Sequence, residues 1–310
     1  MKRPAPIIGI VGPTASGKTD LALALARSWP VEVLVADSRQ VYRGMDIGTA
    51  KPDAAVRSTL PHHLLDLADP DQPFTVAHWV EQARALLPQI AGRGRMAMLV
   101  GGTGLYVSAL IDGHDYAAQG WSPETRARLT DALAVEGLES LAAQLATRDP
   151  EMAARTDVRN PRRVLRALER REAGGGGVEL ATVPYAGRVA LIGLSRPREV
   201  LYRRIDERAA WLFRNGLPEE VRRLLDRGYD PALRPLTGHG YGEAARYLAG
   251  EWSLEQAIEV TARRTRQYAK RQLSWFRHEP RIMWVTAGGR AADDPELVAR
   301  ADTLLRAALT

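Results

Sequence analysis

Cysteine is absent from the 310 residues. Its absence excludes disulfides, thiolate nucleophiles and cysteine-based zinc sites, and it fits a reducing compartment. The six histidines are scattered without metal-ligand spacing. His62 and His63 are adjacent, so on a strand they would face opposite ways and on a helix they would not converge; no metal role is assigned to them. No apolar run approaches the ~20 residues of a membrane-spanning helix. The opening "MKRPAPIIGIVGPT" has an apolar stretch too short, and too closely followed by a Gly-rich loop, for a secretory signal. The expectation is a cytoplasmic chain with no membrane partner. Also missing are an internal repeat and an N-K-x-D element for guanine. The buried run "MAMLV" ends in "GGTG" without the carboxylate that a hydrolytic nucleotidase uses to hold Mg²⁺ or order water. GTPase and motor-ATPase chemistry is disfavoured on these grounds.

What is present is an ordinary globular composition, 45% apolar and 26% charged, with a formal charge of +6 and a pI of about 9.8. The basic balance is nearly all guanidinium, which permits an acidic partner without specifying one. Residues 12–19, "GPTASGKT", fit G-x-x-x-x-G-K-[ST] between the apolar run "PIIGIV" and an amphipathic helix expected to run through Trp29. Strand, Gly-rich loop and helix form the setting of a phosphate-cradling loop. Gly12, Pro13, Thr14, Ala15, Ser16, Gly17, Lys18 and Thr19 are therefore the candidate phosphate site. The amides of Gly17, Lys18 and Thr19 lie at a helix N-terminus, Lys18 supplies a charge, and the Thr19 hydroxyl is a candidate Mg²⁺ ligand. The loop states that a polyphosphate binds and leaves the reaction open.

Around it, "VEVLVADS", a short "HHLLDLAD" and "MAMLVGGTG" read as strands alternating with helices, the pattern of an α/β core with a parallel sheet. Ligands gather at the carboxyl ends of such strands. Those ends carry the loop, Asp37 and Thr103. Asp37 could bind a metal or take a proton from an acceptor, a reading favoured by its place near the loop at the strand ends; its bland alternative is to cap the turn after the strand. Residues 113–186 hold no convincing buried strand, and Ser122-Pro123 opens a helical stretch, so they read as a helical insertion with a Gly-rich break at 174–177. Residues 1–112 and 187–310 then form the core, its last part mostly helical. Arg204 and Arg208 share one face of the helix after "GLSRP", where spacing alone favours a solvated stripe paired with Asp206 and Glu207. Two helices are one-sidedly basic. In "RRVLRALERR", Arg162, Arg166 and Arg170 recur every four residues. In "TARRTRQYAKRQLSWFRHEPR", seven basic residues meet one acid, with Arg263, Arg266, Lys270 and Arg277 on one stripe. Such sidedness suits a phosphate backbone.

Taken in order, "GPTASGKT", "DSRQVYRGMDIGTAKP", "HHLLD", "GGTGLY", "NPRRVLRALE", "LYRRIDER", "GYGEAARYLAGE" and "TRQYAKRQLSWFR" closely resemble the tRNA dimethylallyltransferase (tRNA isopentenyltransferase) family. "MDIGTAKP" and "AKRQ-x-x-W" are its most specific parts. The resemblance implies a phosphate-loop parallel sheet flanked by helices, with the insertion contacting tRNA. It implies that the loop holds the diphosphate of dimethylallyl diphosphate, with Mg²⁺. The acceptor is the exocyclic N6 of the adenosine 3′ of the anticodon, in tRNAs reading codons that begin with U. It further implies Asp37 as general base, Lys18 and Arg208 on the leaving diphosphate, and Thr103 as a donor to the bridging oxygen. Contact with the tRNA anticodon stem-loop falls to Asp37, Ser38, Arg39, Gln40, Thr103, Arg126, Arg162, Arg163, Val164, Leu165, Arg166, Thr237, Gly238, His239, Gly240, Tyr241 and Gly242, and on the last basic helix to Arg266, Lys270 and Arg271. A monomer is expected. The chain departs from the family pattern in "NPRRV", which lacks the usual acid after the Asn, in "TGHGYGE", and in a shortened segment from Gly174 to Pro184. A small-molecule kinase using the same loop is the alternative.

Overall fold

The computed structural model describes residues 4–113, 122–174 and 182–310. It divides into two compact units, one formed by residues 1–111 and 185–310 and the other by residues 112–184.

The first unit is built on six strands: β1 (Ile7–Val11), β2 (Val31–Ala36), β3 (His62–His63), β4 (Met96–Gly101), β5 (Val189–Ser195) and β6 (Ile282–Thr286). They lie in the order β3-β2-β4-β1-β5-β6, and every pairing is parallel. Strands β1 and β2 are buried along their whole length, as their unbroken Ile/Val/Leu/Ala runs require of strands covered on both faces. The register aligns Val11 and Ala36 with Gly101, and Val11 with Gly193. The carboxyl ends of β1, β2 and β4 therefore finish level, while β5 runs on past them to Ser195, and the segments leaving them emerge side by side.

Helices flank the sheet: α1 (Lys18–Leu25), α2 (Ala54–Thr59), α3 (Val76–Gly92), α4 (Gly104–Asp112), α8 (Arg198–Arg214), α9 (Leu217–Asp226), α10 (Tyr241–Leu248), α11 (Leu254–Arg277) and α12 (Pro295–Leu309). Helix α1 stops at Leu25, short of Trp29. The residues between turn so that the indole of Trp29 donates to Asp302 of α12 at 2.6 Å. The strand expected in "HHLLDLAD" is only two residues long: Leu64 and Asp66 adopt positive φ, which ends it. Strand β6 was not anticipated in a tail expected to be helical. "IMWVT" is a short apolar run that periodicity cannot assign, and its pairing with β5 decides it.

The second unit is helical: α5 (Pro123–Arg148), α6 (Pro150–Arg155) and α7 (Pro161–Glu172). Each opens with the same device, a side-chain cap followed by Pro at the first helical position: Ser122, Asp149 and Asn160 accept from amides of the first turn. Gly137 breaks α5 at φ 83°. Leu129, Leu141, Leu145, Met152, Val164, Leu165 and Leu168 form the core of this unit. Gly174 follows α7; Gly175–Gly177 lie outside the described residues.

Candidate active site

The loop 12–17 leaves β1 and enters α1. Its shape depends on backbone that side chains would obstruct. Gly12 has φ 144°, and a Cβ there would lie 2.5 Å from the carbonyl oxygen of Leu194; Gly17 caps α1 at φ 99°. Among the described residues no side chain caps α1, so the amides of its first turn have no side-chain acceptor there. Three side chains from distant segments fix the loop from outside. Arg196, just past β5, donates from Nε to Ser16 O at 2.7 Å. Arg204 of α8 donates from Nε to Ala15 O at 2.9 Å. Gln272 of α11 accepts from Thr14 N at 2.9 Å and donates to Gly102 O at 2.9 Å. The solvated stripe suggested by the spacing of Arg204 and Arg208 is thereby corrected: Arg204 braces the loop, Asp206 pairs with Arg266, and Glu207 pairs with Arg203.

Lys18 folds over the loop, its Nζ donating to Pro13 O at 2.7 Å. Burial lowers its pKa to about 8; the carboxylate of Asp37 acts in the opposite direction, and the nearby guanidinium of Arg208 adds to the lowering. Burial also lowers the pKa of Arg208, against the attraction of Asp37. Lys18, Asp37 and Arg208 thus sense one another's charge, two cations about one carboxylate, at the level strand ends.

Asp37 follows β2. Its Oδ1 accepts from Arg39 N at 2.8 Å, so the turn-capping role is real, and Oδ2 carries no hydrogen bond among the described residues. One carboxylate therefore does both jobs, held by one oxygen and leaving the other available. Thr103 lies beside it: its amide donates to Ala36 O at 3.0 Å and its hydroxyl accepts from Ser38 N at 3.0 Å. Tyr268 of α11 lies within reach of the charge of Asp37. Its phenol is pushed up to about 12, by burial first and then by the charge of Asp37.

The "MDIGTAKP" segment, tied to this turn through Gln40, is held by a buried carboxylate. Glu220 of α9, 3% exposed, accepts from Asp46 N, Ile47 N and Gly48 N at 2.9, 2.7 and 3.2 Å. It also accepts from the hydroxyl of Tyr241 at 2.6 Å. Gly48 has no room for a Cβ, which would sit 2.4 Å from the Tyr241 ring. Carbonyls of Thr49 and Ala50 in turn accept from the side chain of Gln40.

The residues expected to contact tRNA fall into two groups. Lys270 and Arg271 are exposed on α11, and Arg162 and Arg163 are exposed on α7. Thr237 is exposed, and Ser38 is half-buried in the Asp37 turn. Others are committed elsewhere. Val164 and Leu165, 0% and 6% exposed, belong to the core of the second unit, and Tyr241, 2% exposed, is bound to Glu220. Their side chains cannot serve as contacts. Gly240, at φ 91°, opens α10, where its amide donates to Glu243. Arg126 and Arg166 both pair with the buried carboxylate of Glu169, and Arg39 donates to the carbonyls of Arg234 and Pro235. His239 packs against Tyr268, with ring centroids 5.3 Å apart, and burial lowers its pKa to about 4, so it is uncharged at neutral pH.

For Mg²⁺ the donor set is small. Thr19 is exposed in the first turn of α1, and the described residues contain no cluster of three or more His, Asp or Glu side chains able to hold a metal. A lone hydroxyl beside a phosphate cradle fits an ion carried mainly by the diphosphate, since Mg²⁺ usually keeps waters and takes few protein ligands.

Comparison with known proteins gives this arrangement its family. Residues 40–279 match the model for the IPP transferase family, and residues 6–66 match one for isopentenyl transferases. The chain belongs to the IPP transferase family. It is 44% identical over 303 residues to the tRNA dimethylallyltransferase of Roseiflexus castenholzii, covering 97% of each chain. It is 43% identical over 284 residues to that of Heliobacterium modesticaldum, covering 90% of this chain and 88% of the relative. The crystal structure of the tRNA isopentenylpyrophosphate transferase of Bacillus halodurans superposes with a TM-score of 0.73 at 37% identity, over 98% and 97% of the two chains. Within this IPP transferase family member, the sequence singled out Lys18, Asp37, Thr103 and Arg208. It did not single out Gln272, Arg196, Tyr268 or Glu220, and it read Arg204 as part of a solvated stripe. Gln272 and Tyr268 lay in a segment recognised as specific, and nothing in their local spacing says that they turn inward.

Proposed function

We propose that this chain transfers a dimethylallyl group from dimethylallyl diphosphate to the exocyclic N6 of the adenosine 3′-adjacent to the anticodon, in tRNAs reading U-starting codons, and releases diphosphate. The observation that carries the reading is the pairing of a phosphate cradle, flanked by Lys18 and Arg208, with a carboxylate that keeps one oxygen unengaged. The names of the relatives support tRNA as the substrate and a prenyl transfer over the kinase alternative.

Adenine N6 is a weak nucleophile because its lone pair is delocalised into the ring, and the target base must leave its stack to reach an enclosed site. The new bond joins N6 to the terminal CH₂ of the allyl group as the C–O bond to the diphosphate breaks. The N6 proton goes to Oδ2 of Asp37, and the electron pair leaves with the diphosphate. Charge accumulating on that diphosphate meets Lys18, Arg208 and the first-turn amides of α1. Thr103, tied to the Asp37 turn by two hydrogen bonds, is the donor assigned to the bridging oxygen. Mg²⁺, held by the diphosphate and Thr19, would supply further positive charge to the leaving group. Lys270, Arg271, Arg162 and Arg163 are the cations best exposed for the tRNA backbone. The second unit contacts tRNA in this reading, and the enzyme acts as a cytoplasmic monomer.

Incubation with labelled dimethylallyl diphosphate, Mg²⁺ and unmodified tRNA tests the reading. Label should enter the tRNA at one adenosine. A folded chain that leaves the tRNA unlabelled would remove the proposal, and phosphate transfer from ATP to a small acceptor would install the kinase in its place.

A further inference from the structure

Strands β1 and β4 pair as far as Val11 opposite Gly101. There the ladder opens, β1 passing into the phosphate loop and β4 into the Gly102–Gly104 turn. The side-chain amide of Gln272, 6% exposed, bridges the opening. It accepts from Thr14 N on one side and donates to Gly102 O on the other, both at 2.9 Å. A carboxamide has the acceptor and donor of a peptide group, so Gln272 extends the β1–β4 ladder by one rung made of side chain. Gly102 is shaped to receive it, since a Cβ there would lie 2.1 Å from Nε2. One turn along α11, Trp275 covers Gly104 in the same way, at 2.1 Å from where a Cβ would stand.

The two sides of this rung carry different halves of the proposed reaction. The loop holds the leaving group. The turn holds Thr103, and Thr103 is joined to the Asp37 segment through Ala36 O and Ser38 N. Gly102, Thr103 and Asp37 therefore shift together, whereas the gap between them and the loop depends on the bridge. We propose that Gln272 is a positioning residue for the transfer step, setting the spacing between the diphosphate cradle and the Asp37–Thr103 half of the site. The proposal rests on the transferase reading above. Bond formation needs reacting atoms about 3–3.5 Å apart, and an error of ~1 Å costs on the order of 100-fold in rate. Each half would still bind its own ligand if the bridge were cut.

The test is Gln272→Met, which keeps the length and removes both hydrogen bonds. Affinity for inorganic pyrophosphate with Mg²⁺ and affinity for tRNA are measured by calorimetry, and kcat for prenyl transfer is measured with both substrates saturating. The expected result is that both affinities stay within about threefold of wild type while kcat falls roughly 10- to 100-fold. A kcat within twofold of wild type would overturn the inference. So would a loss of pyrophosphate affinity as large as the loss of kcat, which would make Gln272 part of the cradle. A second arm does not depend on how well Gln272→Met folds. Gly102→Ala collides with Nε2 in the wild type, so the further loss of kcat it causes should be smaller in a Gln272→Ala background. Equal losses in the two backgrounds would also overturn the inference. A wild-type chain that binds pyrophosphate but never labels tRNA would fail at the transferase reading itself, a result distinct from any of these.

Discussion

Asp37 is asked to hold a turn with Oδ1 and to accept a proton with Oδ2, and one substitution separates the two tasks. Asp37→Asn keeps an acceptor for Arg39 N and removes the basic oxygen. It should lower single-turnover prenyl transfer by roughly 10²- to 10⁴-fold and leave pyrophosphate affinity intact; survival of turnover in a rapid-quench assay would assign the base elsewhere. Lys18 makes a prediction of opposite character, about pH. Its pKa in the folded chain is about 8, against an ordinary 10.5. Between those values the folded state holds fewer protons than the unfolded one, so the stability of the unliganded protein contributed at this position rises with pH through the window. Diphosphate binding needs the ammonium and runs the other way. Pyrophosphate affinity should weaken above about pH 8, by up to about tenfold per pH unit. Titration calorimetry from pH 7 to pH 9.5 checks it, and Lys18→Met should bind weakly with that pH dependence lost. These two residues were legible in the sequence because each sits at a strand end and belongs to a recognisable local pattern. Arg196 and Gln272 act on backbone about 180 and 258 residues away, and no local pattern records such a partner.

Elements show the same division between what chain-local physics reveals and what packing decides. The buried strands β1, β2, β4 and β5 and the capped starts of α5 and α7 follow from apolar runs and Ser/Asn-Pro punctuation. Strand β6 and the early end of α1 do not, because the pairing with β5 and the Trp29–Asp302 bond that decide them are long-range. "MDIGTAKP" was recognisable as a signature before its reason was visible. The reason is Glu220, a carboxylate with no cationic partner among the described residues, satisfied by three backbone amides and one phenol. Glu220→Gln would turn a donor toward those amides and leave polar groups unpaired. It should destabilise the fold by about 1–3 kcal/mol, visible as a lower denaturant midpoint at unchanged slope. Tyr241→Phe removes one of the four hydrogen bonds and should cost less, about 1 kcal/mol. If the phenylalanine variant proves the more damaging, the amide grip is not the main function of Glu220.

At the scale of the whole molecule, a net charge of +6 conceals an uneven use of arginine. Arg126 and Arg166 neutralise the buried Glu169, and Arg266 is paired with Asp206, while Arg162, Arg163, Lys270 and Arg271 remain exposed. Arg162→Ala should therefore weaken tRNA binding at low salt and reduce the slope of log affinity against log salt by about 1, without loss of stability. Arg166→Ala should lower the melting temperature, since it strips a cation from a buried carboxylate. A reversal of these two phenotypes would exchange their roles. The order in which the chain is made adds a last consequence. The phosphate loop leaves the ribosome well before its supports: Arg196, Arg204 and Gln272 follow it by 180, 189 and 258 residues. At about 5–20 residues per second, the segment carrying Gln272 arrives roughly 13–50 s after the loop. A nascent chain arrested before that point carries the complete G-x-x-x-x-G-K-T signature and lacks the bridge that spaces it, so translation completes the active site from its far end.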